Sequence, residues 1–454
     1  MTRAPRRLCA AGGVLALSTL FGLAGQARAD DWPQWLGPMR DGVWRETGIV
    51  DKFPDGGPPV RWRSSVASGY AGPAIGSGKI IVTDRVLAKG TKNPKERFPS
   101  RSPQGIPGTE RVLCFNEADG KLLWSHEYDC PYTCSYPLGP RTTPVVNNGK
   151  VYTLGTEGNL FCFEAGTGKV QWSRDFKQDY GAKTPYWGFA AHPLIDGQKL
   201  ICIVGGKDSV AVAFDKETGK EIWKSLTAAQ QGYCPPMIYE IAGKRQLIIW
   251  HAESVNGLDP ETGKLSWSYP LRTYQAMSIA TPRLTGNELY LTAFPNTCLM
   301  LRLAADQSPP TEVWKQTNPK KGIYSVFSSP QLDDGFIYGS TSGGFIRCLN
   351  AKNGELSWSS LQAHGPRPSA SAECFLIKNG DRFFVVNEHG DLIIARLTPK
   401  GYQEVSRAHL LDPTSEGSSG GFNRDVLWSH PAFANRCVYM RNDKEIICAS
   451  LEAK

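Results

Sequence analysis

The chain reads as all-β, an eight-bladed β-propeller of four-stranded blades, with seven blades as the alternative count. Three observations predict it. An eleven-residue pattern recurs in register five times, with a small residue at position 1, Gly at 7 and Trp at 11. The tryptophans from Trp62 to Trp358 follow one another at intervals of 62, 48, 51, 44, 47 and 44 residues. Short alternating strands punctuated by Gly turns fill each interval, and periods of roughly 40–50 residues built this way indicate propeller blades.

Four of the copies begin at Cys114, Cys162, Ala213 and Gly257 and end at Trp124, Trp172, Trp223 and Trp267, with Gly120, Gly168, Gly219 and Gly263 at position 7. A fifth runs from Cys348 through Gly354 to Trp358, and Trp314 ends a copy whose turn is altered. Within each unit, a turn such as Asn147-Asn148-Gly149 precedes one strand, and a hairpin such as Thr156-Glu157-Gly158 leads to the next. The pattern has a packing logic. A strand-end Trp can lie over the Gly turn of the neighbouring blade, and burying an indole there is worth about 2–3 kcal/mol per junction. Trp62 precedes the first full unit and has no blade of its own, so its strand is expected to complete the last blade and close the ring.

The ends divide the chain into three parts. Residues 1–29 read as a signal peptide: Arg3, Arg6 and Arg7 head a mostly apolar run, and Ala27-Arg28-Ala29 presents small residues at −3 and −1 of a cleavage site before Asp30. Residues 30–61 form an extension leading to the closing strand, and 62–454 the propeller. The leader's four Arg account for half of the net charge of +8. A mature net of +4 is ordinary solubility charge and gives no reason to expect nucleic acid as a partner. With 41% apolar and 21% charged residues, the chain is not disordered. Outside the leader it has no apolar run long enough to cross a bilayer as a helix.

The repeat resembles the pyrroloquinoline-quinone (PQQ) repeat of quinoprotein dehydrogenases, and positions 1, 7 and 11 resemble that family's tryptophan-docking motif. The opening Trp32-Pro-Gln-Trp35-Leu-Gly37 is similar to the start of exported PQQ-like propeller proteins. The resemblance implies two functional branches. Quinoprotein alcohol dehydrogenases hold PQQ and calcium in the central channel with an Asp as base, and often carry a disulfide between adjacent cysteines. An outer-membrane assembly lipoprotein uses a similar eight-bladed ring as a docking scaffold without quinone. This chain has neither an adjacent Cys pair nor a Cys-x-x-Cys-His segment. The expectation is therefore an exported scaffold, periplasmic or secreted and monomeric, that binds a cell-envelope protein or a small ligand. The alternative is a PQQ- and calcium-dependent dehydrogenase of alcohols or sugars.

Candidate site residues come from the starts of the inner strands, most of which carry a Pro: Pro73, Pro144, Pro193, Pro236, Pro282, Pro330 and Pro431. Around these, Tyr70, Arg141, Trp187, His192, Tyr233, Tyr324, Trp428 and His430 are expected to ring one channel end as an aromatic, cationic rim. Such a rim suits a planar anionic ligand, through stacking and a bidentate Arg contact. The same residues also suit simple packing at a propeller mouth. Glu253, Glu373, Glu388 and Asp391 are the acids placed to meet calcium, although hairpin acids are commonly just solvated. Cys130 and Cys134 share one loop of an exported protein and suggest a local disulfide, whereas Cys114, Cys162 and Cys348 read as small buried fillers. Gly417-Ser-Ser419-Gly-Gly421 matches Gly-x-Ser-x-Gly but falls in a loop and not on the strand-to-helix elbow that motif needs. The basic insert at 86–110 reads as a solvated loop able to meet an acidic partner.

Overall fold

A computed structural model describes residues 1–2, 30–94, 105–416 and 424–453. The leader, most of the 86–110 insert's tip and the Gly417–Gly421 motif lie outside the described residues.

Eight four-stranded antiparallel sheets form the propeller. Blade 1 comprises Ala74–Gly76, Lys79–Leu87, Gly108–Asn116 and Leu122–Asp129; blades 2 to 7 follow at 145–175, 194–225, 237–270, 283–315, 331–360 and 374–409. Ala432–Ala434, Cys437–Arg441 and Glu445–Ser450 supply three strands of blade 8. The fourth is Val60–Ser65, which pairs antiparallel with Glu445–Ser450 and places Trp62 opposite Cys448. The ring is thus closed by strands from both ends of the chain. The short first strand of each blade lines the axis, where first strands of adjacent blades lie beside one another. Each predicted Pro sits immediately before one of these strands.

The apolar core lies in layers between blades. Tyr152, Leu154 and Leu160 of blade 2, for example, pack with Leu200, Cys202, Val212 and Phe214 of blade 3. On the outer side, each repeat Trp crosses to the next blade. The Trp62, Trp124, Trp172, Trp223 and Trp314 rings lie over Gly120, Gly168, Gly219, Gly263 and Gly354, so close that an added Cβ would meet the indole at 2.5–2.6 Å. Their Nε1 groups donate to backbone carbonyls of the same turns at 2.8–3.2 Å. Trp267 is the exception. The turn it would reach is the altered one in blade 5, and the ring instead folds over Gly257 directly across its own sheet. There its Nε1 donates to Gln246 Oε1 at 2.7 Å.

The segment before Trp62 does more than lead into the closing strand. It circles the inside of the ring and bonds to every blade in turn. Ile75 N donates to Trp32 O (2.9 Å) and Val146 N to Pro33 O (2.8 Å). Arg40 donates to Pro193 O (2.9 Å) and Pro236 O (3.3 Å), and its own carbonyl accepts from Arg283 (3.1 Å). Gln331 donates to Gly42 O (3.4 Å), Trp44 N to Lys378 O (2.8 Å), and Asn435 N and Arg436 N to the Glu46 carboxylate, each at 2.6 Å. Residues 32–46 therefore form a strap across the axis, with Trp32, Trp35, Leu36, Arg40 and Trp44 all buried. Burial lowers the Arg40 pKa to about 10, and the strand-start carbonyls it meets are the compensation for taking its charge out of water. Farther on, Phe53 is buried in the cluster that also holds Ile394 and Ala408 of blade 7 and Val438 and Ile447 of blade 8. It fills the junction that lacks a repeat Trp.

Candidate functional site at the channel

The axis is occupied by Trp35. Its indole stacks on His192 (centroids 3.7 Å apart, planes 10° from parallel) and meets His430 edge-on at 4.1 Å. Nε1 donates to Thr281 Oγ1 at 2.9 Å. His192 Nδ1 accepts from Thr143 N (2.8 Å), while His430 Nε2 lies 3.3 Å from Phe327 O and its ring packs on Phe375. Burial is the main cause that pushes His192 well below the ordinary histidine range and His430 down to about 3. The strap takes both imidazoles out of water, which disfavours their protonated forms. The space left among Trp32, Trp35, Leu36, Ile377 and His430 is about 10 Å³, room for one water at most.

Of the remaining sequence candidates, Tyr70, Arg141 and Trp428 come together. The Arg141 guanidinium lies over the Tyr70 ring at 5.1 Å, and Tyr70 faces Trp428 at 6.3 Å, with Phe327 and Tyr136 alongside. Arg141 is spent on its own loop, however: it donates to Gly139 O (2.7 Å), Ser135 O (2.8 Å) and Tyr136 O (2.5 Å). Trp187 and Tyr233 form a separate pair, 5.6 Å apart. Tyr324 holds its own loop through Gln316 O (2.9 Å) and Asn318 O (3.1 Å).

The acids are equally committed. Glu373 caps the N–H groups of Val326, Phe327 and Ser328, and burial, outweighing those bonds, raises it to about 7. Glu388 is buried within a network of Arg424 (2.9 and 3.0 Å), His364 Nε2 (3.1 Å) and Trp428 Nε1 (3.3 Å). Burial pushes its pKa up, but the His364 and Arg424 contacts prevail and hold it below the usual range. Asp391 pairs with Arg407 (2.8 Å) and His409 (3.1 Å), and Glu253 lies near Arg272 at 3.8 Å. His364, Glu388 and His389 come close enough to offer three metal-ligand atoms, but Arg424 already supplies the positive charge there. Sequence reading found Glu388, which His389 follows in the same hairpin; His364, from the segment after blade 6, is brought to them only by the fold.

Cys130 and Cys134 are separate buried thiols, as are the other described cysteines, so the expected local disulfide is not formed. Both sit in a small cluster with Ile106 and Tyr132, and burial raises both thiols, Cys134 to about 11.

PQQ and calcium, which the resemblance implies, do not fit these residues. The axis is filled by an indole, the one candidate Arg is bonded to three carbonyls, and the candidate acids are capped or paired with bases. No step is derived through either group.

Fold and site together define a PQQ-like β-propeller whose channel is filled by its own N-terminal strap. The chain belongs to the family described as "Outer membrane protein assembly factor BamB" (PQQ_2), which matches residues 108–321 and 302–453. Among solved structures it is similar to BamB from Moraxella catarrhalis, with 16% identity and a TM-score of 0.53 over 86% of this chain and 97% of that one. It is also similar to the quinohemoprotein alcohol dehydrogenase from Comamonas testosteroni, with 12% identity and a TM-score of 0.61 over 93% and 81%. A computationally designed protein, Ika8, matches at 10% identity and a TM-score of 0.51, over 86% and 99%. At these identities the likeness is one of fold alone. A search of curated proteins finds no match. Among the described residues, no helix is long and apolar enough to cross a membrane.

Proposed function

We propose that the protein is an exported, non-catalytic PQQ-like propeller of the cell envelope that binds a protein partner through its loops and blade edges. The observation that carries this reading is Trp35, which stacks on His192 and abuts His430 where a channel cofactor would otherwise sit. His192 and His430 hold the strap, and Arg141 and Tyr324 hold their own loops, which is the work of a rigid platform. The outward surface offers apolar contact points on edge strands, among them Leu122 and Leu123 of blade 1, Ile222 of blade 3 and Leu265 of blade 4. The family's BamB description fits an envelope location and a protein partner.

The test is paired. A dye-linked assay of alcohol and sugar oxidation, after incubation of the protein with PQQ and calcium, is expected to show no turnover above a heat-denatured control. Photocrosslinking from positions 123 and 222 in envelope preparations is expected to capture a discrete protein adduct. Turnover that depends on PQQ overturns the scaffold reading in favour of the dehydrogenase.

A further inference from the structure

Glu46 is a buried carboxylate, 5% exposed, at the far end of the strap. It accepts backbone N–H groups from Asn435 and Arg436. Among the described residues it has no Lys, Arg or His partner. Arg436 next to it is turned to Thr47 O (3.2 Å) and Glu452 (2.7 Å), and Arg45 pairs with Asp41. A buried carboxylate without a cation is costly. Its third bonding partner is the backbone nitrogen of Asp30, 3.2 Å from Oε1. Asp30 is the residue that the leader reading places at the mature N-terminus.

We propose that hydrolysis of the Ala29–Asp30 bond supplies the cation Glu46 lacks. The proposal rests on the export reading. In the precursor, the Asp30 nitrogen is a neutral amide with one proton. A leader peptidase adds water across the bond: Ala29 departs as a carboxylate, and the freed Asp30 amine takes up a proton to become an ammonium with three donors. That ammonium forms a charge-assisted bond to Glu46 Oε1, stronger than the neutral amide bond it replaces. Asp30 lies two residues before the strap and Glu46 ends it, so the pair closes the segment into a loop around the inside of the ring. Removal of the leader thereby locks the channel plug, and the plug's full stability belongs to the processed form alone.

Three forms of the protein test this: one beginning with a free Asp30 amine, one N-acetylated at Asp30, and one carrying Gly-Ser-Gly before Asp30. The free amine is expected to raise the Tm by about 1–2 °C over both others. In a Glu46→Gln background the three forms are expected to melt together. Equal Tm values in the native background, or a difference that survives Glu46→Gln, overturn the lock. Intact-mass analysis of the exported protein separates the two failures. A mature terminus other than Asp30 overturns the reading of the cleavage site and the proposal with it, whereas an Asp30 terminus with indifferent Tm overturns the lock alone.

Discussion

Trp35 and His192 stack 3.7 Å apart and within 10° of parallel on the axis of the propeller, although one belongs to the N-terminal strap and the other to the start of blade 3. The contact ties the segment preceding the ring to the ring's inner wall. Trp35→Ala removes that stack, the edge contact to His430 and the bond to Thr281. It is expected to cost about 3–5 kcal/mol, as a buried Trp-to-Ala change does, and to make the strap sensitive to limited proteolysis. Urea unfolding and protease nicking before residue 62 check it.

His430 makes stability depend on acid. Its folded pKa is near 3, against about 6.5 in the unfolded chain, so below 6.5 the unfolded state binds the proton and the folded state does not. Stability is thus retained above pH 6.5 and lost as pH falls toward 3. Glu373, raised to about 7, slopes the other way between its unfolded value and 7, but it is common to the native protein and a His430→Phe variant. The difference in stability between the two is therefore expected to move against the native protein by about 1.4 kcal/mol per pH unit below 6.5. A pH-independent difference between their urea midpoints from pH 7 to 4.5 contradicts it.

Trp267 and Gly257 provide a packing test. Gly257 has an ordinary backbone conformation, so only the clash of a new Cβ with the folded-back indole opposes Gly257→Ala. The substitution is expected to destabilise by about 1–3 kcal/mol, as overpacking does. The equivalent Cys114→Ala, in a blade whose Trp crosses to its neighbour, is expected to cost under about 1.5 kcal/mol. Thermal unfolding of the two variants, read side by side, decides.

At the opposite kind of junction, Gly219 has φ +69° and lies beneath Trp172. Gly219→Ala is expected to cost at least about 2 kcal/mol, from left-handed strain plus the clash. In a double-mutant cycle with Trp172→Ala the costs are expected to be less than additive, because removing the ring relieves the clash but not the strain. Strict additivity would place Trp172 elsewhere.

Breaking the Glu388 network leaves a fully buried carboxylate without its guanidinium. Arg424→Ala is expected to destabilise by about 3–5 kcal/mol near neutral pH. The deficit should shrink as Glu388 is protonated, so denaturation curves at pH 7 and pH 4 are the check.

The repeat was legible because each of its positions has one physical task. Gly219 must be Gly to lie under Trp172, and the Pro before each inner strand marks where the chain turns to the axis. The missing Gly in the blade 5 turn and the lone Gly at position 257 were both visible, yet their joint meaning needed the fold, since the displaced ring and the room for it belong to one blade. The candidate site was legible only as a set of residue types. His192 and His430 did converge, but around Trp35, whose place in the ring no periodicity encodes because it precedes the repeats. Tyr324 and Arg141 turned to nearby backbone carbonyls, a local choice invisible in spacing. His364 joined Glu388 and its sequence neighbour His389 only through the fold.

The account's central claim is that the strap fills the channel and leaves no place for a quinone. The most direct test is calorimetric titration of PQQ, with calcium present, into the purified protein comprising residues 30–454. No saturable heat from a folded sample, with the intrinsic tryptophan fluorescence unchanged, is the result the account predicts. Saturable binding at micromolar or tighter affinity that Arg141→Ala abolishes would contradict it.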